Sequence, residues 1–130
     1  MEKDYQVKVS GETQEFASGA HRDKRTGKGR YDLISMFALR EIARVYEDGA
    51  LAYGDRNWER GFPLSRLLDS AMRHLCQCIE GKDDENHAAQ AAWNMMAFIH
   101  TRELINRGIL PRELNDLPNY SPVLVTPEEK

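Results

Sequence analysis

The sequence predicts an all-α fold, a helical bundle with helices at about residues 31–53, 64–80 and 84–107, flanked by an irregular N-terminal arm and an extended C-terminal tail. Three observations carry that prediction. Apolar residues recur at helical spacing in each of the three segments. Glycine, proline and asparagine cluster between the segments, where turns belong. Only "YQVKV" and "PVLV" read as strands, and both are short.

Residues 1–30 are polar and punctuated by glycine, ending in "HRDKRTGKGR", in which six residues are His, Lys or Arg. This is an arm or loop. From Tyr31 the pattern turns helical, with Leu33, Phe37, Ile42, Val45, Gly49 and Tyr53 on one stripe and Arg40, Glu41, Arg44, Glu47 and Asp48 largely outside it. "YGDRNWERGFP" supplies the boundary. The second helix starts at Leu64, carries Leu64, Leu68, Ala71, Leu75 and Ile79 inward, and stops at Gly81. A short acidic turn, "GKDDEN", leads into the third. Its first turn holds Asp84 and Glu85, where the helix dipole favours negative charge, and its core face is Ala88, Ala91, Ala92, Met95, Phe98 and Ile99. After Pro111 the repeated prolines predict a mostly extended tail over 111–130, leaving 31–110 as the helical domain.

A chain of 130 residues supports one modest core, and oligomerisation would help it bury catalytic polar groups. With 41% apolar and 30% charged residues, the composition is that of a soluble globular chain. No apolar run approaches the ~18 residues of a membrane span, and the acidic-polar start has no secretory apolar core. A cytoplasmic location is expected. The net charge of −3 argues against binding a nucleic-acid polymer through a broad basic face. Cys76 and Cys78 lie two apart in a helix, point to different sides, and read as reduced core residues without a zinc site.

Three groups of residues carry chemistry. The short Gly81–Asp83 connection makes the second and third helices an antiparallel hairpin, so Glu80, Asp83, Asp84 and His87 can share a volume at its corner. Carboxylates with imidazole suit Mg²⁺ or Mn²⁺, and acids capping a helix beside a packed histidine are the competing reading. On the third helix His87, Gln90 and Asn94 form one polar stripe; His74 faces its Gln90–Asn94 part from the second. "GKGRYDLI" places Lys28, Arg30 and open glycine amides before a helix, which suits a phosphate as well as a solvated linker. It lacks the P-loop pattern. In "YGDRNW", Tyr53 and Trp58 offer stacking faces and Asn57 an amide for a base edge, although aromatics at a helix end also serve cores.

"GKGRYDLI", "GALAYGDRNWERG", "RHL" with "EGKDDENH", and "AAWN" occur here in that order, and over about residues 19–107 the chain resembles the phage dATP/dGTP diphosphohydrolases. These are relatives of the MazG-like all-α nucleoside triphosphate pyrophosphohydrolases. The resemblance implies a four-helix-type MazG fold with sites at the interfaces of a homo-oligomer, a dimer or tetramer. It also implies a need for Mg²⁺ or Mn²⁺ and hydrolysis of dGTP and dATP to monophosphate and pyrophosphate. The dGMP so formed would feed the synthesis of a modified-adenine phage genome. One departure stands: the broader E-E-x-x-E and E-x-x-D patterns are absent in full, their acidic positions falling near Asp69 or Ser70, His74, Ala91 and Asn94.

With that resemblance, Asp83, Asp84 and His87 are the expected metal ligands. His74, Asp69 and Glu47 are expected as further ligands or as the base that orients water, with Glu41 another helical acid that can contribute. Lys28, Arg30 and Arg73 would hold phosphates; Asn57, Trp58 and Asn94 would hold base or sugar. The rival from another class is a non-catalytic nucleotide-binding or helical interaction protein. An HD-type phosphohydrolase is disfavoured because no adjacent His-Asp pair occurs.

Overall fold

The structure, a computed structural model, describes residues 5–120, and its contacts divide the chain between Ile34 and Ser35 into two compact units. The first holds a two-stranded antiparallel hairpin, β1 (Thr13–Glu15) and β2 (His21–Asp23), with Thr13 opposite Asp23 and Glu15 opposite His21. A tight turn nucleates it: the Phe16 amide donates to the Ala20 carbonyl at 2.9 Å, and Gly19 takes φ +89°, a conformation that costs glycine least. The strand expected at "YQVKV" is not formed; Val7 and Val9 are exposed and no neighbouring strand pairs with them among the described residues. Pairing follows the turn, not β propensity alone. A 3-10 turn at Tyr31–Leu33 ends the unit. "PVLV", like all of 121–130, lies outside the described residues.

The second unit is helical: α1 (Met36–Tyr53), α2 (Leu64–Ile79) and α3 (His87–Asn106). An all-α fold is therefore observed, apart from the small hairpin of the first unit. Two helices begin later than the sequence suggests because their caps lie later. Ser35 accepts the Ala38 amide at 3.1 Å at the head of α1, and Asn86 accepts the Ala89 amide at 3.1 Å at the head of α3. Asp84 and Glu85 thus belong to the connecting turn and not to the first turn of α3. At the head of α2, Pro63 offers no side-chain cap, and Asp116 reaches across to accept both the amide and the hydroxyl of Ser65.

α2 and α3 run antiparallel. His74 meets His87 at one end, while Leu64 and Leu67 pack with Ala97, Phe98 and Ile105 at the other. Leu64, at 1% exposure, is the largest apolar side chain that is fully buried, and Leu110, Leu114 and Leu117 close over the same cluster. The segment after Pro111 therefore does not run free: it makes a 3-10 turn at Arg112–Leu114, and its leucines return to the core. Gly61 admits this return. A Cβ there would stand 2.7 Å from Leu114, and φ is +95°.

Two face assignments need correction. On α3 the buried face is His87, Ala91, Asn94, Phe98, Thr101 and Ile105, with Ala97 beside it, whereas Ala88, Met95 and Ile99 are exposed. On α2 the inward residues are Leu64, Leu67 and Ala71; Leu75 and Ile79 face out, as do Cys76 and Cys78, which are free thiols but not core. On both helices polar side chains, His74 with His87 and also Asn94 and Thr101, occupy part of the seam where apolar ones were expected. α1 is amphipathic yet has no fully buried residue, resting Ile42, Val45, Tyr46, Gly49 and Ala50 half-buried against its neighbours. Leu33, Phe37 and Tyr53, expected on its inner stripe, are exposed.

Candidate active site

The hairpin corner builds the first half of the site. His87 is the first residue of α3, so its side chain turns back over the capping turn, and it is 2% exposed. Its Nε2 lies 2.7 Å from Asp84 Oδ1, and its Nδ1 lies 2.9 Å from His74 Nδ1 on α2. A carboxylate can only accept, so a neutral His87 carries its proton on Nε2 and presents a bare Nδ1. His74 must then donate from Nδ1, which leaves the lone pair on its own Nε2. The result is an ordered chain, Asp84–His87–His74, ending in a basic nitrogen. The His87 hydrogen bond holds the Asp84 carboxyl below its ordinary range. Burial lowers the His74 pKa, and the nearby Glu85 carboxylate acts against that shift.

Donor atoms from Asp84, Glu85 and His87 lie within 4.8 Å of one another, a cluster able to hold a metal ion. Asp83, expected as a ligand, is not in this cluster; Glu85 takes that place. Glu41 of α1 reaches the same corner indirectly, accepting from Asn86 Nδ2 at 2.8 Å.

The second half is a cleft of about 750 Å³ between the C-terminal part of α1, the turn at 54–58 and one side of the α2/α3 seam. Asn57, Trp58 and Asn94, expected to hold base or sugar, all line it. Tyr46 stands edge-on to both Trp58 (5.5 Å between centroids) and Trp93 (5.9 Å), and His100 backs Trp58 at 4.7 Å. Such a wall suits a flat heterocycle. Asn94 is almost fully buried and donates Nδ2 to the Gln90 carbonyl at 2.8 Å, so its Oδ1 remains as an acceptor. The buried indole N–H of Trp93 has no partner among the described residues. Arg56, also at the cleft, is the one non-glycine residue with positive φ among those described, a strained geometry common beside ligands.

Cleft and corner lie about one helical turn apart along the seam. His87, Gln90 and Asn94 share one face of α3, and Ser70 and His74 are one turn apart on α2, with Ser70, Gln90 and Asn94 lining the cleft. Other expected residues are not brought in. Asp69 and Arg73 pair with each other at 3.5 Å on the exposed side of α2. Glu47 is exposed on α1, and its neighbour Asp48 lines the cleft in its stead. In the first unit, Lys28 pairs with Asp23 at 2.9 Å, and Arg30 makes a two-pronged bond to Asp32, 2.9 Å on each arm. Tyr46 and Trp93 are not marked as site residues by the sequence, Ser70 enters only as an alternative to Asp69 at a family acidic position, and Glu85 only as an acid of the turn before α3. The position of Trp93 next to Asn94 was a usable signal, whereas nothing local distinguished Tyr46 from a core tyrosine.

A family model described as "dATP/dGTP diphosphohydrolase, N-terminal" matches residues 18–108. The dATP/dGTP diphosphohydrolase of Salmonella phage PMBT28 is 36% identical over 75 residues, covering 54% of this chain and 26% of the relative. The chain thus spans about a quarter of the length of that curated relative. No solved structure matches.

Proposed function

The chain belongs to the family described as dATP/dGTP diphosphohydrolase, N-terminal, and from that premise we propose that it hydrolyses dGTP and dATP to the monophosphate and pyrophosphate. One observation carries the proposal: an aromatic, amide-lined cleft on the α2/α3 seam lies about one helical turn from a histidine–carboxylate corner. A base fits the first and a reacting phosphate the second.

In this reading the purine stacks against Trp58 and the neighbouring rings, and Asn57, Asn94 and the Trp93 N–H address its edge or the sugar. The donor set at the corner, two carboxylates and an imidazole, fits Mg²⁺ or, with its tolerance for nitrogen, Mn²⁺. Asp84 and Glu85 would hold the ion, with Asp83 adjacent; His87, whose Nε2 is engaged by Asp84 and whose Nδ1 is engaged by His74, would orient the Asp84 carboxylate beside it. When bound, the ion would supply charge neutralisation at the phosphates. His74 orients the attacking water and receives its proton at Nε2, the nitrogen left bare by the His87 contact. Water oxygen bonds to phosphorus as the α–β phosphoanhydride breaks, releasing deoxynucleoside monophosphate and pyrophosphate. Arg30 is a phosphate-binding candidate on the chemistry of its loop, whereas the Lys28 ammonium is turned onto Asp23.

The exposed apolar residues of all three helices, Phe37 and Leu51, Met72 and Ile79, Met95 and Ile99, support assembly as a homo-oligomer, a dimer or tetramer. Among the described residues no helix is long and apolar enough to cross a membrane, in keeping with work in the cytoplasm on nucleotide pools. The setting proposed is phage nucleotide metabolism that supports a modified-adenine genome.

Product analysis with dGTP, dATP, dCTP and dTTP, each with Mn²⁺, Mg²⁺ and chelator, tests the proposal. Metal-dependent pyrophosphate release from the purine substrates is expected. No release from any nucleotide would leave a protein that binds without catalysis, its acids serving only to cap α3.

A further inference from the structure

The first unit contains its own cleft, of about 580 Å³, whose lining includes Lys24, Arg25, Thr26, Gly27, Gly29 and Arg30. Three cations line it, and none of its lining residues is acidic. Gly27 and Gly29 hold positive φ, +88° and +84°; the space beside Gly27 is open, while the Tyr31 ring stands next to Gly29. Lys28, although it sits in the middle of this loop, is not part of the lining. Its ammonium is turned onto Asp23, whose carboxylate also accepts the amide of Ser10 at 3.0 Å and the Ser10 hydroxyl. Lys28 thereby ties the loop to the hairpin.

The arginines are placed differently. Asp32 receives both arms of Arg30 and lies 3.6 Å from a terminal nitrogen of Arg25, so one carboxylate serves two guanidinium groups. Among the described residues, Asp32 is the one carboxylate that pairs with either guanidinium, so one positive charge of the two is left over and most of the guanidinium N–H donors face no protein acceptor.

We propose that this cleft is a pyrophosphate-binding cradle in which Arg25 and Arg30 are the anion ligands and Lys28 is a strut that holds the loop. The matching ligand chemistry is a phosphoanhydride chain, either free pyrophosphate or the polyphosphate of a nucleotide. Forked donors suit its paired oxygens better than a point charge does. The assignment deepens the proposed reaction, and rests on it for the role of the bound anion, but the binding itself stands apart from catalysis.

The test is calorimetric titration of the full chain with sodium pyrophosphate, sodium tripolyphosphate and dGTP in chelator, which silences any metal site. Saturable pyrophosphate binding is expected, weakened about tenfold by Arg25→Ala and by Arg30→Ala, as for lost charge-assisted bonds. Asp32→Asn should tighten binding several-fold, because it releases two guanidinium groups. A merely structural role for Asp32 predicts the opposite sign. Tighter binding of tripolyphosphate and dGTP would identify the substrate chain as the natural occupant; equal or tighter binding of pyrophosphate would identify the product. Three results overturn the proposal: no pyrophosphate binding by the unaltered chain, wild-type affinity in Arg25→Ala, or a larger loss in Lys28→Ala than in Arg25→Ala with amide exchange of the loop unchanged. If dGTP is not hydrolysed yet pyrophosphate binding depends on Arg25, the catalytic reading fails and the cradle remains.

Discussion

At its open end the α2/α3 hairpin is closed by Leu64, Leu67, Ala97, Phe98 and Ile105, whereas at the corner the same two helices meet through His74 and His87. The open end is sealed further by Leu110, Leu114 and Leu117 and by the Asp116 cap on Ser65. At the corner the buried apolar side chains are only small ones, Ala89 and Ala91, beside the buried His87 imidazole, and Gln77 keeps a buried oxygen without a partner among the described residues. Apolar burial contributes stability without regard to direction, while buried imidazoles contribute little unless their hydrogen bonds are satisfied. The difference teaches a division of labour along one helix pair, in which the leucine end holds the fold and the histidine end is left free to serve chemistry.

That division is broken most directly at Leu64. Leu64→Ala removes a side chain at 1% exposure from the centre of the apolar end, and a loss of about 2–5 kcal/mol in unfolding free energy is expected for such a truncation. Turnover per folded molecule should stay close to that of the unaltered chain, because Leu64 touches neither cleft nor corner. Denaturant titration together with a pyrophosphate-release assay measures both quantities. A variant that kept its stability but lost turnover would reverse the assignment of the two ends.

His87→Ala asks the converse. It cuts the Asp84–His87–His74 chain in the middle, removing the contacts at 2.7 and 2.9 Å, and turnover should fall about a hundredfold or more while the helical circular dichroism persists. A hundredfold corresponds to about 2.7 kcal/mol of transition-state stabilisation. If His87→Ala turned over dGTP normally, the corner would be a helix cap and the contrast between the ends would be one of packing alone.

How legible this contrast was in the sequence depends on the end considered. Leu64 and Ala71 were readable on α2, and Phe98 on α3, because apolar residues at helical spacing bury themselves wherever a partner face exists. Met95 and Ile99 were misread as core for the same reason: the rule has no place for a seam in which His87, Asn94 and Thr101 are the buried residues. The polar stripe of His87, Gln90 and Asn94 was visible, and so were Asn57 and Trp58, but nothing local showed that Tyr46 would turn its ring to Trp58 and Trp93. That contact depends on how α1 leans on α3, a tertiary fact. Asp83 and Glu85 flank Asp84 and are chemically equivalent on paper. The Asn86 cap decides between them by fixing where the helix begins, and it turns Glu85 toward the cluster with His87.

The smallest expected effect concerns pH, and it separates the ends without any change in packing. Burial disfavours the charged imidazole of His74, so its folded pKa lies below the ordinary value of 6.5. Between those two values the unfolded chain binds a proton that the folded protein does not, and stability rises with pH across the interval. The contribution is therefore complete above about pH 6.5 and is lost as pH falls through the folded value. Denaturation midpoints at pH 7.5 and 5.5 should drop more for the unaltered chain than for His74→Gln, which has no proton to gain. Leu64→Ala, in contrast, should keep the same pH dependence from a lower baseline, since it leaves His74 and its neighbours at the corner in place. Equal slopes in the unaltered chain and His74→Gln would mean that the imidazole is hydrated at the corner, and that the histidine end is open to water rather than ordered by the contact between its rings.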